Sequence, residues 1–271
     1  MIVTQDYGWS QLAKRAGRSW PEATDWAMAQ AVMAGFQGWE PFVATPADLD
    51  RIAALAARHG LCLPSIFVSG PLHDPSLTAE TEARIIDICR IAAHLGTRLV
   101  MIYPAGATKS DAALTLQARA LNRIGAALST VGLKLCYHPE EPELLLAAHE
   151  FHHMMLATDH SLVSLCLDPD TIWRGTGGSM IGLIDILALY GSRIAALHLR
   201  QFQARIWSET VGEGDIPYPL FVEALSKANI CPLLVVEHAF EPLTPSTLDP
   251  VTAHQRSCAY IRATFAPLMQ P

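Results

Sequence analysis

Four apolar runs in the second half of the chain each carry a metal-donor side chain at their last or next-to-last position. They are KLCYH with His138, SLCLD with Asp168, AALHL with His198 and LLVVE with Glu237. Imidazole nitrogens with carboxylate oxygens suit a divalent cation with open positions for water or substrate, and Mn, Mg, Co and Zn all accept them. Such a cation polarises a carbonyl, and a nearby carboxylate or imidazole can then move a proton on the adjacent carbon. Positions 138, 168, 198 and 237 are 30, 30 and 39 residues apart. That spacing fits one strand, one helix and their loops, the unit of a parallel β/α protein. On neighbouring strands of one barrel, all four side chains reach the same end of the sheet.

The rest of the chain supplies the elements such a barrel needs. IVTQ, GWEPF, CLPSIFVSG and RLVMIYP read as the first four strands, and the runs above as the fifth to eighth. Between them lie segments of helical periodicity, among them TPADLDRIAALAARHG, where Thr45 can cap the start and Gly60 can end the helix. Eight βα units with near-continuous apolar strands predict an α/β fold, a (β/α)8 TIM barrel forming a single domain over residues 1–271. An open doubly wound sheet is the competing architecture. No GxGxxG follows the first strand, which argues against dinucleotide binding.

Composition narrows the function classes. The chain has 271 residues, 51% of them hydrophobic and 17% charged, enough to bury a large core. A net charge of −7 without a basic block argues against nucleic-acid and anionic-membrane partners. No basic segment followed by an apolar core opens the sequence, and no apolar run is long enough to span a membrane. Six cysteines lie without CxxC spacing and read as small buried hydrophobes of a reducing, cytoplasmic setting. Self-association is left open.

Six short segments in order resemble the xylose-isomerase-like TIM-barrel superfamily, the sugar phosphate isomerase/epimerase group that includes inosose dehydratase. They are AGFQGWEPF with Glu40, YHPEEPEL after the fifth strand, CLDPDTIWRGTGG with Asp168, SRIAALHLRQF with His198, VGEGDIPYPLFVEAL, and LLVVEHAFE with Glu237. The resemblance implies Asp168, His198 and Glu237 as metal ligands, with Mn the expected ion. Many members carry a Glu at the end of the fifth strand, where this chain has His138. The YHNHxxEF form places a Glu five residues later, which implies Glu143 as the fourth ligand. His138 is then a ligand, a substrate hydrogen-bonder or a proton shuttle, and Glu140, in the second His position of that form, is a further candidate. Glu237, His138 and Glu143 form the implied catalytic set, with Glu40, Glu140, Trp173 and Arg200 at the substrate. Two departures stand out. HLKD reads HLRQ, so Gln201 replaces a carboxylate, and DxxH reads Asp168-Pro-Asp-Thr171. Both remove ligands that the similar endonuclease IV uses for three zinc ions.

HEFHH at 149–153 also satisfies HExxH, with His149 and His153 one helical turn apart and Glu150 between. It falls on a helix with no third ligand in view, and a polar face rich in His is the simpler reading. The function expected is a divalent-metal-dependent isomerase or epimerase of a sugar or keto-sugar. A lyase on the same site, such as an inosose-type dehydratase or a deglycosidase of 3-keto-glycosides, is the main alternative. A non-catalytic sugar-binding barrel is the third.

Overall fold

The computed structural model describes residues 1–106 and 109–269. Eight parallel strands form one sheet: β1 (Ile2–Gln5), β2 (Gly38–Glu40), β3 (Ser65–Ser69), β4 (Leu99–Tyr103), β5 (Lys134–Tyr137), β6 (Val163–Leu167), β7 (Ile194–Leu199) and β10 (Leu233–Val236). Their order, β2-β1-β10-β7-β6-β5-β4-β3, is sequential once the ends are joined. The join is irregular. Bridges Gly38↔Cys62 and Phe42↔Phe67 span it, and Trp39 N–H donates to Cys62 O at 2.9 Å and Phe67 N–H to Pro41 O at 2.8 Å. Pro41 has no N–H to give, so the seam between β2 and β3 is thinner than any other. The result is the TIM barrel expected from the eight βα units.

The parity of the strands explains the site. Phe67, Met101, Cys136, Cys166 and Ala196 form a separate cluster inside the barrel, apart from the larger core between sheet and helices. Side chains two residues apart on a strand share a face. Stepping two residues on from that inner layer gives Ser69, Tyr103, His138, Asp168 and His198. On the other three strands the side chains packed in the outer core, Ile2, Trp39, Leu234 and Val236, leave Gln5, Glu40 and Glu237 on the inward parity. Each strand thus turns one polar or aromatic side chain inward toward the C-terminal end, with His198 level with Val235 and so below Glu237.

The helices are α1 (Asp6–Arg15), α2 (Thr24–Met33), α3 (Pro46–His59), α4 (Thr78–His94), α5 (Asp111–Ser129), α6 (Glu141–Ala157), α7 (Pro169–Gly175), α8 (Met180–Tyr190), α9 (Tyr218–Lys227) and α10 (Pro250–Thr264). Thr45 and Asp48 cap α3 reciprocally, and Gly60 ends it at φ +68°, as their types dictate. Three features were not in the sequence reading. Helix α1 follows β1 directly, a hairpin of β8 (Phe202–Gln203) and β9 (Ile206–Trp207) follows β7, and α6 is interrupted. Leu146, Ala147 and Ala148 there have φ of 51°, 60° and 55°, so the expected single helix is two pieces. Among the described residues no helix is long and apolar enough to cross a membrane. All six cysteines are free; Cys89, Cys136, Cys166 and Cys258 are buried, while Cys62 and Cys231 are exposed.

Candidate active site

At the C-terminal end of the barrel, His138, Asp168 and Glu237 each offer a donor atom within 4.8 Å of the others. His138 follows β5, Asp168 follows β6 and caps α7, and Glu237 follows β10. Neither ring nitrogen of His138 has a hydrogen-bond partner, although the ring is fully buried. Burial and the neighbouring His198 push its pKa down to about 3, so the ring is neutral. A neutral, buried imidazole with free lone-pair capacity next to two carboxylates fits a divalent cation. His198 lies deeper. Its Nδ1 is 2.8 Å from Glu237 Oε2 and its Nε2 2.8 Å from Glu40 Oε1, the latter an ion-pair contact without hydrogen-bond alignment. Burial would lower its pKa, but Cys166, Glu40 and Glu237 outweigh that and hold it well above the ordinary value.

Arg200 supplies a second fixed cation. Its Nε donates to Asp168 Oδ2 at 2.7 Å and lies 3.3 Å from Asp170 Oδ2, and its terminal nitrogen contacts Asp168 and lies 3.5 Å from Glu237 Oε2. Burial alone would raise the Glu237 carboxyl. Arg200 and His198 reverse that and keep it well below the usual carboxylate range.

A cavity of about 550 Å³ opens over these groups. Asp6, Tyr103, Glu140, Arg200, Trp207 and Glu237 contribute to its wall. Two of its acids titrate high. Burial raises Asp6 to about 8, with Glu40 and Glu237 adding to it against a hydrogen bond from Phe42 N–H. Burial likewise raises the partly buried Glu140 to about 7. At neutral pH the cavity therefore holds one firm carboxylate, Glu237, one protonated acid, Asp6, and one group poised between, Glu140. A second cavity of about 890 Å³ adjoins it, and Arg174 and Trp207 line both.

Glu143 lies apart from the cluster. It is the third residue of α6, and its carboxylate accepts the Glu140 N–H at 3.0 Å and sits 3.5 Å from Lys109 Nζ. The helix start claims it, as a Glu at that position allows, so His138 is the donor that the structure brings to Asp168 and Glu237. Glu40 stays beneath the cavity against His198 rather than lining it. Trp173 lines the outer cavity. Glu150 of the HExxH match is buried and bonded to Lys109 at 2.5 Å, and His149 is exposed, so neither joins a metal-donor group among the described residues. Sequence reasoning missed Asp6 and Trp207. Asp6 was visible as an acid directly after the first strand; Trp207 depends on a hairpin that has no strong sequence signal.

Gln201 explains its own departure from the family pattern. Its amide donates to Gly212 O at 2.7 Å and Ile216 O at 3.1 Å and accepts from Phe202 N–H at 2.9 Å and Ile216 N–H at 3.0 Å. A carboxylate cannot donate, so only the amide satisfies both sides of this loop.

A family model described as xylose isomerase-like TIM barrel matches residues 28–264. The chain belongs to that family. Inosose dehydratase of Clostridium perfringens is 22% identical over 256 residues, covering 82% of this chain and 84% of the relative. Among solved structures, a sugar phosphate isomerase/epimerase from Parabacteroides distasonis superposes with a TM-score of 0.76 at 16% identity, covering 99% of this chain and 95% of that one. A D-allulose 3-epimerase from Methylomonas sp. gives 0.75 at 15%, with 97% and 96% covered. A 3-keto-D-glucoside 4-epimerase from E. coli gives 0.71 at 16%, with 97% and 98% covered.

Proposed function

We propose that this family member is a divalent-metal-dependent isomerase or epimerase of a sugar or keto-sugar. The observation that carries the reading is the juxtaposition of the His138–Asp168–Glu237 donor group with two carboxyl groups of unlike proton affinity, Glu237 and Glu140, on one cavity wall. His138, Asp168 and Glu237 would hold the ion, with Mn the expected metal and Mg, Co or Zn accepted by the same donors. Bound there, it supplies positive charge to the substrate oxygens as charge develops on them. Glu237, held as a carboxylate, takes the proton from the carbon next to the carbonyl. Glu140, titrating near neutrality, returns a proton to the substrate. Arg200 fixes Asp168 and offers its guanidinium to substrate oxygens, while neutral His138 orients without competing for the proton. The named activities of the inosose dehydratase relative and the epimerase neighbours support proton movement beside a carbonyl as the chemistry of this site.

A lyase is the second reading, and Asp6 favours it. A buried acid that keeps its proton at neutral pH on the same cavity can protonate a leaving group. Incubation with ketohexoses and their 3-keto derivatives in D2O, with Mn present, separates these readings. Deuterium entering a product of otherwise unchanged mass marks an isomerase, and loss of water or of a second group marks a lyase. No deuterium uptake on any keto-sugar, with metal-loaded folded protein, refutes both.

A further inference from the structure

The outer cavity has no part in the chemistry above, yet it is the larger of the two, at about 890 Å³ against 550 Å³. Sites of 300 to roughly 1,000 Å³ receive drug-sized ligands, so the inner cavity already suffices for a single sugar ring. Arg174 and Trp207 form the shared boundary. Trp207 Nε1–H donates to Asp170 Oδ2 at 3.4 Å, Arg174 Nε to the same oxygen at 3.1 Å, and the guanidinium lies 5.3 Å from the Trp207 ring centroid. This partition is tied at Asp170, next to the Asp168 of the donor group, so a molecule that passes it has one end at the chemistry.

The walls of the outer cavity carry sugar-binding chemistry. The half-buried Trp173 and Trp207 bring apolar indole surface to the wall with the buried Phe202 behind them, and Arg174, Asp215 and Glu241 offer donors and acceptors for hydroxyl groups. Gly177 and Gly178 complete the wall at φ of +70° and +87°. A Cβ on Gly178 would reach ordinary van der Waals contact with the Trp173 indole at 3.6 Å, so Gly178 packs beside that ring. The hairpin that supplies Phe202, Ile206 and Trp207 turns through Ala204 and Arg205, both at positive φ without being glycine, which costs conformational energy.

We infer that the substrate is a two-ring keto-glycoside: the reacting ring occupies the inner cavity, and a second hexose ring occupies the outer one across the Arg174–Trp207 partition. The inference rests on the keto-sugar reading for the identity of the reacting ring, but its binding test does not. Isothermal titration of the full-length, Mn-loaded protein with D-glucose, maltose and cellobiose should show at least one disaccharide binding tenfold or more tightly than glucose. In the Ile206→Ser/Leu243→Ser variant, altered at two exposed positions of the outer wall alone, the ratio of disaccharide to glucose affinity should fall close to one. Equal affinity for one and two rings, no binding of either, or an unchanged ratio in the variant overturns the inference. If keto-glucose then still exchanges deuterium, the proposed chemistry stands without the second ring. If two-ring binding is preferred and no keto-sugar exchanges, the subsite stands and the chemistry falls.

Discussion

Arg200 gives Asp168 and Glu237 a positive neighbour that belongs to the chain. Any ion bound by those carboxylates shares them with a guanidinium. Arg200→Met should therefore act in two directions. The metal-free protein should lose on the order of 3–5 kcal/mol, the usual cost of leaving buried charge unpaired. The melting temperature should then rise more on adding Mn than it does in the unaltered chain. Thermal denaturation with and without Mn checks this, and an equal rise in both proteins would mean that Arg200 and the ion do not share ligands. Glu237→Gln should lower proton exchange by a thousandfold or more, and Glu140→Gln should lower it less while flattening the pH dependence near 7, where that group titrates. Stopped deuterium uptake across pH 5–9 reads both. That Asp168, His198 and Glu237 stand at the C-terminal end of the barrel was legible from polar groups recurring at the ends of consecutive apolar strands; that His198 turns to Glu40 and Glu237, outside the group His138 forms with Asp168 and Glu237, was not. Glu143 was misplaced because spacing along a chain does not say which way a helix start turns its third side chain.

The loop after β7 shows why a glycine-flanked segment belongs there. A Cβ on Gly214 would meet Phe202 O at 2.3 Å and Gln201 Cδ at 2.6 Å, whereas one on Gly212 would find only Thr210 Oγ1, at 3.7 Å. Gly214→Ala should thus push the loop off Gln201 and shift the β8–β9 hairpin with it, costing about 1–3 kcal/mol and displacing Trp207 from both cavities. Gly212→Ala should stay within about 0.5 kcal/mol of the parent. Urea denaturation and intrinsic tryptophan fluorescence of the two variants distinguish these outcomes. The barrel strands were readable from apolar runs, but this hairpin was not: two residues per strand are too few for alternation to register. The break inside α6 was hidden for a related reason, because Leu146, Ala147 and Ala148 are good helix formers that adopt φ values their types do not favour.

Directly after the donor Glu237, the barrel is tied to its outer helix by a relay of neutral groups that starts at His238. His254 Nδ1–H donates to Pro250 O at 2.7 Å, and its Nε2 accepts from His238 Nδ1 at 3.1 Å. His238 Nε2 then faces Ser257 Oγ at 3.0 Å, which accepts the Val211 N–H at 2.9 Å. His254 also stacks on Trp9 with ring centroids 4.0 Å apart. Burial lowers the His254 pKa to about 4. The unfolded chain therefore binds this proton more readily, so the contribution of His254 to stability is full above about 6.5, falls as pH drops and levels off below 4. The loss amounts to roughly 3 kcal/mol for this group. Urea midpoints between pH 4 and 7.5 should show it, with a shallower slope in His254→Phe. Sequence alone identified the barrel because eight repeats of one unit reinforce each other. It could not identify this relay, whose members His238, His254, Ser257 and Val211 meet only after the last helix closes on the sheet.

The internal cations of the site have one more effect. Arg200 and His198 already face the buried carboxylates, so on the proposed metal-dependent reading the barrel is expected to keep its shape without the ion. Chelation should then abolish turnover while moving the melting point by only a few degrees. A cell short of the ion would keep its stock of folded protein idle, and activity would return as fast as the ion diffuses in, with no new synthesis.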